Sequence, residues 1–398
     1  MAKPKVEIAF ANGEIGSVTT SPDGICVIVA SAVANGSFIL NKAETVYSLA
    51  EAEALGIIPT VAGNYELHKT IKEFYAEAGI GAELWIYGVA KTRTLDQLIE
   101  DSRAVLTASN RRIRFVVAKY APLVADVAIT AGIRTGFAAT MAAAQAIAEE
   151  FTTDKTQPVV FILEAYNYTG VAADLIGFGA LTNNRVAVLI GDTETRTGTT
   201  ASKGAAVGVL AGRIASNQVH VNVGRVKDGA LKPLAFYVVD TPVEQINVDA
   251  IYDKGFITLT THTGKSGYYF VDDHLACAVE DDYHFLTRRR VIDKAYVLAN
   301  QTLTNFLLDT VPVTNEGKVQ AVYAKAIEAE VERVIVQEMT AKGELSADPT
   351  LANDTVVECV IDITNNIVQD STLKGKIRVR PFGYNRFIEF SIGYNVTQ

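Results

Sequence analysis

The chain has 398 residues, of which 49% are hydrophobic and 20% are charged, and its net charge is −9 with histidine neutral. This is the composition of a globular protein of about two to three domains, so a largely disordered chain is excluded. The acidic balance disfavours nucleic acid and anionic membranes as partners, and no apolar run reaches the roughly 18 residues of a membrane span.

The three cysteines, Cys26, Cys277 and Cys359, each lie in an apolar run. This pattern is typical of small buried side chains in a reducing compartment rather than of a disulfide framework. The apolar segment 25–30 follows a long lead that contains acidic residues, whereas a signal peptide has a short basic lead. We therefore expect no signal peptide.

The first patterned segment, residues 5–10, alternates with period two and places Val6, Ile8 and Phe10 on one face. The pattern predicts a strand, and the Gly/Ser/Thr/Pro-rich stretch that follows offers it no hairpin partner. Its backbone groups must therefore pair with a distant part of the chain or with another chain.

From residue 25 to about 200, short apolar segments alternate with amphipathic ones. The apolar segments predict strands at 25–30, 83–87, 114–118, 158–163 and 185–190. The amphipathic segments predict helices at 44–55, 64–78, 95–108, 137–151 and 201–215. Strands separated by helices of this length indicate an α/β fold with a parallel sheet.

The rest of the chain is mixed. Residues 234–270 are β-rich, and two helices with one apolar stripe each are predicted at about 281–310 and 318–339. Alternating strands then follow at 357–364, 376–381 and 386–395. The fold class predicted for the whole chain is therefore mixed α/β, with an α/β body and an α+β C-terminal part.

The last predicted strand sets one group of apolar side chains against Phe387, Glu389 and Ser391. This group consists of Ile388, Phe390 and Ile392. Chain ends are usually frayed unless they are held by pairing, so a patterned strand at each end favours pairing with a partner.

Few residues suggest chemistry. The segment 263–266 resembles the end of a phosphate-binding loop, but Leu259 stands where the first glycine is required, so a polar turn is favoured. The richest polar cluster lacks the spacing of known zinc motifs. It consists of Asp272, Asp273, His274, Glu280, Asp281, Asp282 and His284.

The same cluster has a structural interpretation. Asp281 and Asp282 precede a long helix, where carboxylates cap free N–H groups, and basic side chains follow them. These are Arg288, Arg289 and Arg290. We predict intersubunit or intradomain ion pairs among these five residues, and we predict no catalytic, cofactor-binding or metal-binding residues. A metal site in the cluster stays open as an alternative.

The segments 268–275 (YYFVDDHL) and 281–295 (DDYHFLTRRRVIDKA) resemble contractile tail sheath proteins of phage tails and contractile injection systems. The chain ending, with 378–383 (RVRPFG) and 387–392 (FIEFSI), is also similar to sheath endings, in which a final strand leaves the domain as an arm. The resemblance is sharpest over residues 255–398 and rests on the order of elements over 25–250.

The resemblance implies an N-terminal β-arm at 1–24, an α/β sheath body at 25–255, a tube-facing C-terminal domain at 256–383 and a C-terminal β-arm at 384–398. It also implies that the arms link subunits by adding strands to neighbours. The expected arm contacts are made by Val6, Ile8, Phe10, Phe387, Ile388, Phe390 and Ile392. The expected tube-facing residues, on the exposed face of the helix at 318–339, are Glu328, Glu332 and Glu338.

The implied function is that of a structural, non-enzymatic subunit of a virion tail or of a cytoplasmic injection-system particle. It would polymerise helically around an inner tube and contract to drive that tube through a target envelope. The implied partners are copies of itself, the inner tail tube protein, and baseplate and tail terminator proteins. No cofactor, nucleic acid or direct membrane contact is expected. The alternatives are an α/β enzyme with a site around 272–284 and a non-contractile virion structural protein.

Overall fold

The computed structural model describes residues 22–197, 203–351, 354 and 356–393. The chain forms two compact units, Met1–Arg289 and Arg290–Gln398. The predicted N-terminal strand with Val6, Ile8 and Phe10 lies outside the described residues. Residues 256–289, which the resemblance assigned to the C-terminal domain, belong to the first unit.

The strands of three or more residues are β1 (Cys26–Ala32), β2 (Ala43–Val46), β3 (Leu84–Ala90), β4 (Phe115–Lys119), β5 (Val160–Glu164), β6 (Val186–Leu189), β7 (Val357–Ile361) and β8 (Gly375–Val379). The helices are α1 (Leu49–Leu55), α2 (Tyr65–Ala78), α3 (Leu95–Ala108), α4 (Phe137–Thr153), α5 (Val207–Ser216), α6 (Val248–Tyr252), α7 (Leu286–Thr304), α8 (Ala321–Ile335) and α9 (Ile367–Asp370). Among the described residues, no helix is both long enough and apolar enough to cross a bilayer.

The first unit is built on a six-stranded sheet with the order β2-β3-β1-β4-β5-β6. Strand β2 runs antiparallel to β3, and the other neighbours are parallel. In the centre of the sheet, Ile28 lies beside Ile86 and Val117. Every residue of β1, β4, β5 and β6 is buried, as expected for parallel strands that are covered on both faces. The α/β prediction is confirmed.

The helices cover this sheet in two pairs, α2 with α5 and α3 with α4. The α2–α5 contact is close because two glycines of α5 lie against the backbone of α2. A Cβ atom at Gly208 would lie 2.3 Å from the Thr70 carbonyl oxygen, and one at Gly212 would lie 2.5 Å from that of Phe74. Both glycines therefore allow an approach that a larger side chain would prevent.

The second unit begins within α7 and continues with α8, which packs on the antiparallel hairpin of β7 and β8. In β7 the alternation is strict, with Val357, Cys359 and Ile361 buried and Glu358 and Val360 exposed. The buried apolar face of α8 includes Ile327, Val331 and Ile335. The predicted alternation is confirmed over 357–361, although the strand predicted to reach 364 ends at Ile361. The predicted helix stripe is confirmed at Val319, Ile327, Val331 and Ile335, whereas Val322 of the same stripe is 83% exposed.

Two predicted elements differ from the structure in kind, and the helix predicted at 281–310 is shorter and spans Leu286–Thr304. The helix predicted at 44–55 is an edge strand, Ala43–Val46, followed by α1, which begins after Ser48. Ser48 Oγ accepts the Glu51 N–H at 3.2 Å and caps the helix, so the cap marks the boundary that hydrophobic periodicity missed. The last predicted strand, 386–395, is also absent: residues 386–393 form no regular secondary structure, and 394–395 lie outside the described residues.

Candidate assembly surface and other candidate sites

The acidic and histidine cluster at 272–284 precedes α7 and contacts its first turn. Asp273 is fully buried and caps this helix, because its Oδ2 atom accepts the Thr287 N–H at 2.8 Å. Burial and the neighbouring Asp272 carboxylate raise the pKa of Asp273 well above its usual range. The ring centroids of His274 and His284 are 4.6 Å apart. Within the described part of the chain, no three His, Cys, Asp or Glu side chains are grouped so as to hold a metal ion.

The prediction that Asp281 and Asp282 cap the helix is wrong, because α7 begins at Leu286, four residues after Asp282. Asp281 Oδ2 instead accepts Asn184 Nδ2 at 3.0 Å, and its Oδ1 accepts the Tyr283 N–H at 2.8 Å. Asp281 therefore holds the turn that leads into the helix.

The three arginines have different surroundings. The Arg288 guanidinium lies 5.3 Å from the centre of the Phe285 ring, and that of Arg289 lies 4.4 Å from the centre of the Tyr283 ring. These are cation–π distances. Arg290 is buried and Asp282 is exposed. The predicted ion pairs between these arginines and the two aspartates stay predictions.

A second charged cluster, which the sequence analysis missed, lies where the parallel strands end. Lys119 ends β4 and Glu164 ends β5, and the Lys119 Nζ atom lies 2.9 Å from Glu164 Oε2 and 3.2 Å from Glu66 Oε2. Lys69, on α2, pairs with Glu73 at 2.9 Å and also with Asp192, the second residue after Ile190. Lys119 is 1% exposed. Burial favours its neutral amine, but the surrounding carboxylates outweigh burial and raise its pKa well above the usual value.

Ligands of α/β proteins bind at this end of the sheet, so the space available there decides what the cluster can do. The adjoining cavity, bordered by Asp192, Glu194, Arg196 and Gly204, has a volume of about 10 Å³. That volume corresponds to one water molecule and is too small for an organic substrate. The six charged side chains therefore tie α2 to the strand ends.

The hairpin of the second unit has two edges that differ in their hydrogen bonding. In β7 and the residues next to it, the backbone groups that face β8 are those of residues 356, 358, 360 and 362. One of the bonds that show this runs from the Asp362 N–H to the Lys374 carbonyl oxygen, at 2.8 Å. The N–H groups of Cys359 and Ile361 therefore point away from β8. Glu332 Oε1 accepts the first at 2.8 Å, and Glu328 Oε1 accepts the second at 2.7 Å.

These bonds overturn the prediction that Glu328 lies on the exposed face of α8. Glu328 is only 4% exposed, and Glu332 is half-buried. The helical period placed both residues on a common face, but that face lies along the edge of β7. Glu338, the third predicted tube-facing residue, has a half-exposed side chain and pairs with Lys342 at 2.6 Å.

The carboxylate of Glu328 makes this edge sensitive to pH. Burial alone would raise its pKa, but the Ile361 N–H and the Lys325 ammonium lower it below the usual glutamate value. Because the pKa of Glu328 is lower in the folded state than the unfolded value of about 4.3, the ionised carboxylate stabilises the fold at pH values above about 4.3. This stabilisation is lost as the pH falls through the lower pKa of the folded state.

We therefore expect the amides of 356–362 to lose protection when the pH falls from 7 to about 3. The measurement is hydrogen exchange by mass spectrometry, corrected for the intrinsic pH dependence of exchange. In Glu328→Gln the side-chain oxygen stays uncharged at every pH, so this control is expected to remove most of the pH dependence. Unchanged protection of the parent protein down to pH 3 would contradict the assignment.

The segment that follows β8 exposes large apolar side chains. The fractional exposure of Phe387 is 83%, that of Ile388 70%, that of Phe390 93% and that of Ile392 101%. Four such side chains within six residues form an apolar surface that is typical of an interaction site rather than of scattered surface residues. The structure thus leaves the C-terminal residues of the predicted arm contacts uncovered.

Comparison with solved structures identifies proteins with a similar fold. A chain of the anti-feeding prophage helical sheath in the contracted state aligns over 99% of this chain and 100% of its own, with 14% identity and a TM-score of 0.64. A chain of the anti-feeding prophage baseplate aligns over 100% of both chains, with 12% identity and a TM-score of 0.62. The sheath tail protein Lin1278 from Listeria innocua aligns over 90% of this chain and 92% of its own, with 8% identity and a TM-score of 0.54. The fold is that of contractile sheath proteins, as the sequence resemblance predicted.

A search of curated proteins finds no match. Two family models cover nearly the whole chain: the one described as "DUF2586, N-terminal domain" matches residues 3–274, and the one described as "DUF2586, C-terminal domain" matches residues 282–398. Their boundary falls close to the start of α7, near the division between the two units. The chain therefore belongs to the DUF2586 family.

Proposed function

We propose that this protein is the subunit of a contractile sheath, which polymerises helically around an inner tube and contracts to drive that tube through a target envelope. The observation that carries the proposal is the alignment of almost the entire chain, both units included, with a sheath subunit. The uncovered apolar segment 387–392 supports it, because a polymer-forming subunit needs such a surface.

In this proposal the terminal arms link the subunits. Each arm adds a strand to a neighbour, so main-chain hydrogen bonds supply strength and the alternating apolar side chains supply register. Burying a side chain such as Phe390 or Ile392 contributes about 1.5–3 kcal/mol. Head-to-tail contacts of this kind do not close on themselves and so open into a helical polymer.

Contraction then converts an extended lattice into a more compact one of lower free energy while the arms keep the subunits connected. The energy is stored when the lattice assembles, so the sheath itself requires no nucleotide hydrolysis. The charged cluster around Lys119 fits this role, because ion pairs between α2 and the strand ends help each body to move as a rigid unit.

The proposed partners are other copies of this chain, the inner tube protein, and baseplate and terminator proteins, within a phage tail or an injection-system particle. Of the predicted tube-facing residues, Glu338 is the remaining candidate, with Glu332 only half-buried. Exposed carboxylates would give a weak, salt-screened contact with a basic tube surface, and such a contact is easily released during sliding.

The test is negative-stain electron microscopy of the purified full chain. A subunit that polymerises helically around a tube should form hollow helical tubes, so we expect tubes of uniform diameter whose number increases with protein concentration. A protein that stays monomeric at all concentrations, with no tubes on the grid, would contradict the proposal.

A further inference from the structure

The carboxylates on α8 occupy positions that the carbonyl oxygens of a third strand would take. Glu328 and Glu332 are four residues apart, a helical rise of about 6 Å, whereas Cys359 and Ile361 are two strand residues apart, about 6.6 Å. The two spacings match, so one helix face bonds two successive outward N–H groups of β7, at 2.8 and 2.7 Å. The β7 edge is thereby closed to another strand.

The β8 edge has no such cover. Lys376 and Arg378 bond with β7, so the backbone groups of Ile377 and Val379 point to the opposite side. Among the residues that the structure describes, these outward groups have no hydrogen-bond partner. An open strand edge is a template for pairing with another chain.

The segment 387–392 of a second copy fits this edge in chemistry. The exposed face of β8 carries Lys376 and Arg378, and Arg380 follows the strand. Arg378 pairs with Glu358 of β7 at 3.2 Å and Arg380 pairs with Asp354 at 2.8 Å, so Lys376 is the cation that a donated carboxylate would meet. A strand that directs Ile388 and Phe390 toward the apolar face of the hairpin directs Glu389 toward the face that carries Lys376. The N-terminal sequence 6–10 (VEIAF) repeats the same order of apolar, acidic and small residues as 388–392 (IEFSI).

We propose that Glu328 and Glu332 close the β7 edge so that strands of neighbouring copies are added from the β8 side alone. Each C-terminal unit then has one acceptor edge, which gives the polymer one direction of growth and prevents branching. This inference rests on the proposed sheath function and adds the residues that decide where the arm binds.

Cross-linking of full-length chains tests the choice of edge. Ser391→Cys on the donated segment is combined with either Lys376→Cys or Val360→Cys, two residues that lie directly opposite each other in the hairpin. Cross-linking is by disulfide formation, which needs Cα atoms about 4.4–6.8 Å apart and so reports opposite residues on adjacent strands but not a residue two strands away at about 9.5 Å. Phe387→Cys and Glu389→Cys are tested in the same way, so that registers two residues apart are also covered. The native cysteines are buried, and Ser391→Cys alone gives the background.

We expect Lys376→Cys to give cross-linked multimers and Val360→Cys to give the background alone. Adding Glu328→Ala and Glu332→Ala should open the β7 edge, so that Val360→Cys also gives multimers. Glu328→Gln with Glu332→Gln is the matched control, because the amide oxygens still accept the two N–H groups, and it should behave as the parent does. Circular dichroism verifies that each variant is folded. If the alanine variant does not fold, the comparison of Lys376→Cys with Val360→Cys in the parent protein still tests the edge assignment.

The outcomes separate this inference from the function on which it rests. If tubes form, three results would overturn the edge assignment and leave the sheath function intact. These are equal cross-linking at both reporters, cross-linking at neither reporter, and no cross-linking of Val360→Cys in the folded alanine variant. The absence of both tubes and multimers would overturn the sheath function and, with it, this inference.

Discussion

Deletion of residues 386–398 is expected to abolish polymer formation and to leave the rest of the chain folded. The described part of this segment has no regular secondary structure, and its large apolar side chains are 70–101% exposed, so the fold of a single subunit gains little from them. Burial of Ile388, Phe390 and Ile392 on a neighbour, at about 1.5–3 kcal/mol each, would be lost from every subunit contact. Sedimentation and electron microscopy measure assembly, and thermal unfolding measures the fold.

Point variants separate the loss of this surface from the loss of length. Phe390→Asp with Ile392→Asp should also prevent tubes, because each carboxylate would have to be buried without a partner. The matched control is Leu234→Asp, since Leu234 is 94% exposed in the first unit, outside the arm. It should assemble as the parent does. Intact tubes from the deletion variant would contradict strand donation by the C-terminal arm.

Replacing Lys119 by Met is expected to destabilise the first unit by about 3–5 kcal/mol, since it leaves the buried carboxylate of Glu164 without its counter-charge. The Glu164 side chain is 0% exposed and also accepts the N–H groups of Tyr120 at 2.7 Å and Ala205 at 3.1 Å. The measurement is the free energy of unfolding in urea, followed by circular dichroism.

Two further variants test the cause of that loss. Adding Glu164→Gln to Lys119→Met removes the uncompensated charge and keeps a hydrogen-bond acceptor, so most of the lost stability should return. Lys42→Met is the matched control, because Lys42 is 58% exposed where it pairs with Glu44, and an exposed pair contributes less than about 1 kcal/mol. Equal losses from Lys119→Met and Lys42→Met would refute the role of burial.

Local sequence signals predicted the body well. Helix α3 spans Leu95–Ala108, as predicted, because Thr94 and Gln97 form a capping box at its start and the apolar stripe continues to its end. The buried strands were recognisable as short apolar runs, and β7 as strict alternation. These elements are determined by residues close together in the sequence.

The candidate sites depended on contacts that periodicity does not reveal. Glu328 and Glu332 share a helix face, but the sequence did not show that the edge of β7, 27 and 33 residues away along the chain, lies against that face. The Lys119 cluster joins residues up to 123 positions apart, so no local pattern identifies it. The final strand was predicted from alternation alone, and a strand also needs a pairing partner, which the single chain does not supply to 386–393.

The most direct test of the account is a cryo-electron microscopy reconstruction of the assembled protein. We predict a hollow helical polymer in which residues 387–392 of one copy form an added strand along β8 of the next, with Glu328 and Glu332 still bonded to β7. A closed ring, an assembly without strand exchange, or a segment 387–392 that folds back on its own chain would contradict it.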